Sequence, residues 1–296
     1  MATTKPTAGH WVEGARPRTL PAAVAPVLVG TGAAALVEAF VWWKALLALL
    51  VSVSLQVGVN YANDYSDGVR GTDADRVGPL RLVGSGGASP RAVKAAAFGC
   101  FGLGSVCGLV LAVTTAWWLV AVGAVAIVAA WFYTGGSRPY GYRGLGEVSV
   151  FVFFGLVAVV GTTYVQAQTA TLASALGGVG VGALACAILV ANNLRDIPSD
   201  REVGKRTLAV LLGDAGSRTL FAGLVLLAYA ASVVVAVAAT PWALLALASV
   251  PFAARALGPV RAGATGARLV GVLRDTGVAE LAYAVGLTTG LVLATL

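Results

Sequence analysis

Two runs of this sequence gather carboxylates and side-chain amides at spacings that suit metal and phosphate chemistry. In VNYANDYSDGVRGTDADR, residues 59–76, Asn60, Asp64 and Asp67 are separated by four and three residues, which stacks them on one face of a helix with Asn63 beside them. Asp73 and Asp75 follow in a Gly-containing stretch that can fold back over the same point. In ANNLRDIPSDREVGKRTLAVLLG, residues 191–213, Asn193, Asp196 and Asp200 follow spacings of three and four, surrounded by Arg195, Arg201, Lys205 and Arg206. Pro198 disfavours helical geometry at Ile197, which allows Asp200 to sit on a new turn or loop instead of above Asp196.

Grouped carboxylates repel one another unless a cation neutralises them. An all-oxygen donor set of carboxylates and amides suits Mg²⁺, which commonly binds through a few carboxylates plus substrate phosphates. Adjacent Lys and Arg meet the remaining phosphate charge, Arg bidentately. The chemistry expected of the two runs together is a diphosphate held by Mg²⁺, two ions in all. The bland alternative is a pair of solvated loops stabilised by Asp–Arg pairs.

The elements that must position these residues are membrane helices. Of 296 residues, 58% are apolar and only 11% charged, against about 25% charged in soluble domains. So little polar surface cannot cover a globule of this size, which excludes a disordered chain, a disulfide scaffold and an ordinary cytosolic enzyme. Nine segments are apolar enough to cross a bilayer: 19–37, 45–63, 92–113, 116–134, 148–167, 171–194, 219–238, 241–257 and 277–296. The eighth is short before Arg255 and contains Pro251, so a tilted or broken helix is expected there. The reading is an all-α polytopic membrane protein of one domain, residues 1–296, with the first span uncleaved.

The loops between these segments place every one of the 20 Lys and Arg residues except Lys44 on one side, together with every acidic residue except Glu38. The positive-inside rule puts that side, and the N-terminus, in the cytoplasm of a cell-membrane protein, with the C-terminus outside. The net charge of +7 then reflects retained cytoplasmic loops, and nucleic-acid binding is not expected. Cys100, Cys107 and Cys186 lack CxxC spacing and His10 is the single histidine, which disfavours zinc, haem and Cys/His nucleophile sites. The Gly-rich GSGGASP, residues 84–90, reads as a flexible cap between helices, since no strand precedes it and GxGxxG is absent.

At these residues the chain resembles the UbiA superfamily of intramembrane prenyltransferases, whose members carry an Asn/Asp-rich motif after the second helix and a DxxxD motif after the sixth. The blocks ARPRTLPAAVAPVLVGT (15–31), NDYSDGVRGTDADRVGPLR (63–81), YTGGSRPYGYRGLGE (133–147) and NNLRDIPSDREVGKRTLAVLLG (192–213) look like the branch that prenylates 1,4-dihydroxy-2-naphthoate in menaquinone synthesis. The chain departs from the wider NxxxDxxxD pattern, having Gly68 and Gly71 where an aspartate is wanted, with Asp73 as the substitute. It also departs from the Tyr-x-x-x-Lys pattern, since Ser137 and then Arg138 follow Tyr133.

The resemblance implies a UbiA-like helical bundle in which Asp64, Asp67 and Asp73 hold one Mg²⁺ and Asp196 and Asp200 a second, these carboxylates being the catalytic core. Lys205, Arg206 and Arg138, then Arg201 and Arg70, are the expected contacts for the diphosphate of a polyprenyl donor. Asn60, Asn63 and Asn193 are candidates for metal or phosphate oxygen, and Tyr133, Tyr140 and Tyr142 for flanking the acceptor or its cation. Each Asn equally suits interhelical hydrogen bonding, and each Arg or Tyr an interfacial anchor. The implied reaction joins the allylic carbon to the ring with loss of diphosphate and CO₂. Rival readings are another aromatic acceptor, such as 4-hydroxybenzoate or homogentisate, and a cation-coupled transporter with paired carboxylates. A CDP-alcohol phosphotransferase is excluded, because DYSDG at 64–68 lacks the rest of that family's motif. The oligomeric state is open.

Overall fold

The computed structural model describes residues 7–71 and 81–296. A short helix α1 (Ala8–Gly14) leads through a 3-10 turn (Pro17–Thr19) into α2 (Pro21–Ala35), α3 (Trp42–Arg70), α4 (Pro90–Val113) and α5 (Leu119–Phe132). A second 3-10 turn (Tyr140–Arg143) precedes a single rod made of α6 (Gly146–Val150), a π-helical segment (Phe151–Val157) and α7 (Ala158–Ala167). Then come α8 (Leu172–Glu202), α9 (Leu208–Ala238), a 3-10 segment (Pro241–Ser249) running into α10 (Val250–Arg261), and α11 (Arg268–Leu293).

Among the described residues, α2, α3, α4, α5, the 146–167 rod, α8, α9, the 241–261 rod and α11 give the nine apolar rods expected from the sequence. Seven are long and apolar enough to cross a membrane. The other two, α2 and α5, have 15 and 14 residues. At about 1.5 Å per residue they span roughly 20 Å of an approximately 30 Å hydrocarbon core.

Local chemistry sets the ends. Ser89 caps α4 ahead of Pro90, Thr171 and Ser174 form a capping box on α8, and Thr207 caps α9 by accepting from the Val210 N–H. Gly71, at φ 73°, closes α3. Gly213, also at φ 73°, breaks α9 near its start. That break explains why the apolar pattern alone opened the seventh crossing only at residue 219.

α3 and α8 continue through the acidic runs to Arg70 and Glu202, so Asp64, Asp67, Asp196 and Asp200 are all helical, as their spacing on one helix face requires. Two expectations are corrected. Pro198 does not break α8. It stands in the penultimate turn, where the missing N–H forgoes one bond, and the Ser199 hydroxyl donates to the Asp196 carbonyl at 3.1 Å. The last helix starts at Arg268 rather than 277, its first turns carrying Arg268, Arg274 and Asp275 ahead of the apolar stretch. The Gly-rich stretch lies between α3 and α4, and residues 82–88 turn back on themselves, with the Ala88 N–H donating to the Leu82 carbonyl at 2.8 Å.

The buried centre is α8, which packs on α9, α11, α2 and the π segment. The last contact requires glycine: a Cβ on Gly155 would lie 2.6 Å from the Gly178 carbonyl oxygen. At the end carrying Lys44, the cationic Nζ donates to Thr115 Oγ1 at 2.9 Å and to the Thr114 carbonyl at 3.3 Å, while Thr115 donates to the Val165 carbonyl at 3.2 Å. Trp118 and Tyr164 meet edge to face at 5.0 Å between centroids. These contacts close the bundle at that end.

Candidate active site

A cavity of about 1310 Å³ occupies the bundle between α2, α3, α4, α5, the 146–167 rod and α8. Its deep walls are apolar, with Val27, Val51, Leu111, Leu119, Phe153 and Val165 among them. Its other end is polar, bounded by Arg16, Asn60, Asn63, Arg81, Asn192 and Arg195. The acidic ends of α3 and α8 stand at that polar end.

Asp64 is buried, and its carboxylate accepts the backbone N–H groups of Leu82 at 2.7 Å and Val83 at 3.0 Å. It thereby anchors the chain as it returns after Arg81. One turn on, Asp67 collects donors from three directions: the Tyr142 hydroxyl, Lys205 Nζ at 3.4 Å and Arg81 Nη2 at 3.6 Å. Lys205 follows α8 directly, and its N–H donates to the Asp200 carbonyl at 2.8 Å. The two acidic runs, more than a hundred residues apart in sequence, therefore meet across Asp67 and Lys205.

On α8, Asp196 takes two bonds from Arg195, Nε at 2.7 Å and Nη2 at 2.9 Å, and Nη2 also reaches Asn192 Oδ1 at 2.9 Å. Asp200 is buried one turn further on. Asp73 lies outside the described residues. Among the described residues, no three of His, Cys, Asp and Glu converge as a ready-made metal cage.

The remaining candidates divide. Asn63 lines the cavity and accepts from the Thr134 hydroxyl at 2.7 Å. Asn60 ties the N-terminal segment to α3, donating to the Ala15 carbonyl at 2.8 Å and Thr19 Oγ1 at 3.0 Å. Asn193 donates to Glu147 Oε1 at 2.9 Å, the interhelical role allowed for it. Arg70 donates to the carbonyls of Thr134 and Gly136, bracing the turn between α5 and α6. Arg138, Arg201 and Arg206 are exposed around the polar end.

Tyr133 and Tyr140 line the cavity, ring edge to ring face at 5.6 Å. Burial, with Glu147, Tyr140 and Asp67 nearby, pushes the Tyr133 phenol well above its ordinary value. Burial raises Tyr140 too, against the lowering effect of its hydrogen bond with Ser149.

Sequence reasoning passed over Arg16, Arg81 and Glu147, and named Arg195 only among the cations around the second acidic run. Glu147 is buried at the start of a membrane rod, and an acid opening an apolar span was the signal available to find it. Arg16 holds a left-handed backbone at φ 55° immediately before Pro17, a strain typical of functional positions that sequence does not display.

Residues 23–265 match the UbiA prenyltransferase family. The chain is 58% identical to the 1,4-dihydroxy-2-naphthoate octaprenyltransferase of Mycobacterium tuberculosis, over 95% of this chain and 96% of that one. Its fold is similar to that of an apo UbiA homolog from Aeropyrum pernix, with a TM-score of 0.70 at 17% identity, covering 93% of this chain and 98% of that one. It is also similar to a UbiA homolog from Archaeoglobus fulgidus bound to DMAPP and Mg²⁺, with a TM-score of 0.67 at 12% identity over 95% and 98% of the two chains. With a family match across most of its length and a relative this similar end to end, the chain belongs to the UbiA prenyltransferase family.

Proposed function

We propose that the protein transfers a polyprenyl group from polyprenyl diphosphate to 1,4-dihydroxy-2-naphthoate, releasing diphosphate and CO₂ and giving demethylmenaquinone. The observation that carries this reading is the cavity of about 1310 Å³: apolar through most of its depth, and bordered at one end by Arg16, Arg81 and Arg195 with the amides Asn60, Asn63 and Asn192 of the two acidic runs. That layout suits a molecule with a long hydrocarbon tail and a diphosphate head. The 58% identity to a 1,4-dihydroxy-2-naphthoate octaprenyltransferase selects the acceptor.

Mg²⁺ fits by donor chemistry, since the buried Asp64, Asp67, Asp196 and Asp200 supply hard oxygen atoms beside the cavity's polar end. These four carboxylates would hold it, in two ions, and the ions would neutralise the departing diphosphate. The protein's own groups do the rest. Lys205 and Arg81 stand ready for the anionic head, with Asp67 setting their positions. Tyr133 and Tyr140 present π faces that stabilise positive charge at the allylic carbon until a ring carbon attacks it. The apolar walls exclude water from that cation.

In this reading the polar end faces the cytoplasm, since all the Lys and Arg residues but Lys44 lie on that side.

The test incubates the protein in lipid with Mg²⁺ and a polyprenyl diphosphate, offering 1,4-dihydroxy-2-naphthoate and 4-hydroxybenzoate in parallel, with products identified by mass. A prenylated naphthoquinol with CO₂ release is expected. Product only from 4-hydroxybenzoate would overturn the acceptor, and no product from either would overturn the reading.

A further inference from the structure

Tyr142 is engaged at the ring, the hydroxyl and the main chain, and no motif drew attention to that role. Lys205 Nζ lies 4.5 Å from the centroid of its ring, and Arg70 Cζ lies 5.5 Å from the same centroid. Its hydroxyl donates to Asp67 Oδ1, the same oxygen that Lys205 approaches at 3.4 Å. Its carbonyl accepts the Arg206 N–H at 2.9 Å, which fixes the segment after α8 against the turn before α6. One side chain thus links the end of α3, the 140–143 turn and the Lys205 segment.

The charge arithmetic gives this arrangement its meaning. Arg70 is turned into the carbonyls of Thr134 and Gly136, which directs both of its terminal nitrogens to the turn. Lys205 is buried and held by one carboxylate oxygen and an aromatic face. A second carboxylate in place of that face would hold the ammonium as firmly, but would add another negative charge beside it. A π face attracts a cation while carrying no net charge of its own. Lys205 is therefore held beside a single carboxylate, which Arg81 also approaches, and the ring adds no further negative charge against an incoming anion.

We propose that Tyr142 is a positioning residue that holds Lys205 through its ring so that the ammonium meets the diphosphate of the donor. This rests on the prenyl-diphosphate reading of the site. It adds a residue whose job is to fix a buried cation without adding negative charge beside it.

The test measures binding of inorganic diphosphate with Mg²⁺ to the full-length protein in lipid, by calorimetry. Tyr142 is replaced by phenylalanine, and then by phenylalanines carrying one, two and three ring fluorines, which drain the π face at nearly constant shape. Tyr142→Phe is expected to bind within about threefold of the parent, with affinity falling at each added fluorine to about tenfold at three. In a Lys205→Met background the series is expected to be flat. Equal affinity across the series with Lys205 present overturns the inference. So does a loss in Tyr142→Phe as large as in the trifluoro variant, which would place the effect in the hydroxyl on Asp67. Failure of the parent protein to bind diphosphate overturns the prenyl-diphosphate reading as well as the inference.

Discussion

Asp64 offers the sharpest separation of architecture from chemistry at this site. Its carboxylate accepts two backbone N–H groups, Leu82 at 2.7 Å and Val83 at 3.0 Å, and is 1% exposed, so water cannot replace either bond. Hydrogen bonds to a charged group contribute about 1.5–3 kcal/mol each, so Asp64→Ala withdraws at least about 3 kcal/mol from the local stability of the returning chain. At about 1.4 kcal/mol per factor of ten, that is a rise of at least a hundredfold in opening of the segment. Hydrogen exchange read by mass spectrometry on peptides spanning 81–88 should show it, while peptides from α8 and α11 keep their protection. Asp64→Asn retains one oxygen acceptor and sets an amide N–H₂ against the other backbone donor, so it should fall between the two. If Asp64→Ala lost prenyl transfer with exchange in 81–88 unchanged, the carboxylate would not be holding this segment, and its buried geometry would have been misread.

Asp196→Ala and Asp200→Ala should leave folded protein whose turnover falls by about a hundredfold or more, the scale of losing one preorganised electrostatic group; near-normal turnover in either would remove that residue from the reaction. Gly155→Val should destabilise the bundle by about 1–3 kcal/mol through overpacking against the Gly178 carbonyl, seen as a lower midpoint of thermal inactivation. Because burial holds the Tyr133 phenol above its ordinary value, it is neutral at neutral pH and stays protonated through about pH 10, where a free tyrosine ionises. An ultraviolet titration of Tyr133→Phe should accordingly match the parent up to that point, and a missing phenolate step below it would contradict the burial.

Much of the site could be read from residue types and spacing alone, because Asp, Asn, Lys and Arg are costly in a membrane chain and their survival there is itself a signal. That logic located Asp64, Asp67, Asp196, Asp200 and Lys205. It failed where tertiary contacts decide. Nothing in the spacing says that Asn60 is spent on Ala15 and Thr19, that Arg70 braces Thr134 and Gly136, or that Asn193 is claimed by Glu147. Apolar periodicity found every rod but misjudged ends that overhang, since α3, α8 and α11 all extend beyond their apolar stretches into turns that carry charged residues. The π-helical segment carries no sequence signal in FVFFGLV, whose apolar residues suit either helical form.

That segment ties the cavity wall to the length of the gene. A π turn is an α-helix carrying an extra residue. Here the stretch from Phe151 to Val157 joins two α-helical pieces, one bearing Glu147 and Ser149, the other Thr162 and Val165. Loss of a single codon within 151–157 would let the rod relax into one continuous α-helix. Because the π turn takes up its extra residue locally, the pieces on either side would keep nearly the same register, with Ser149 on the cavity wall and Glu147 facing Asn193. The same deletion within 158–167, which is regular α-helix, would turn everything before it by about 100° relative to everything after it. A one-residue loss is therefore absorbed in the π segment and becomes a change of active-site shape a few residues further along the same rod.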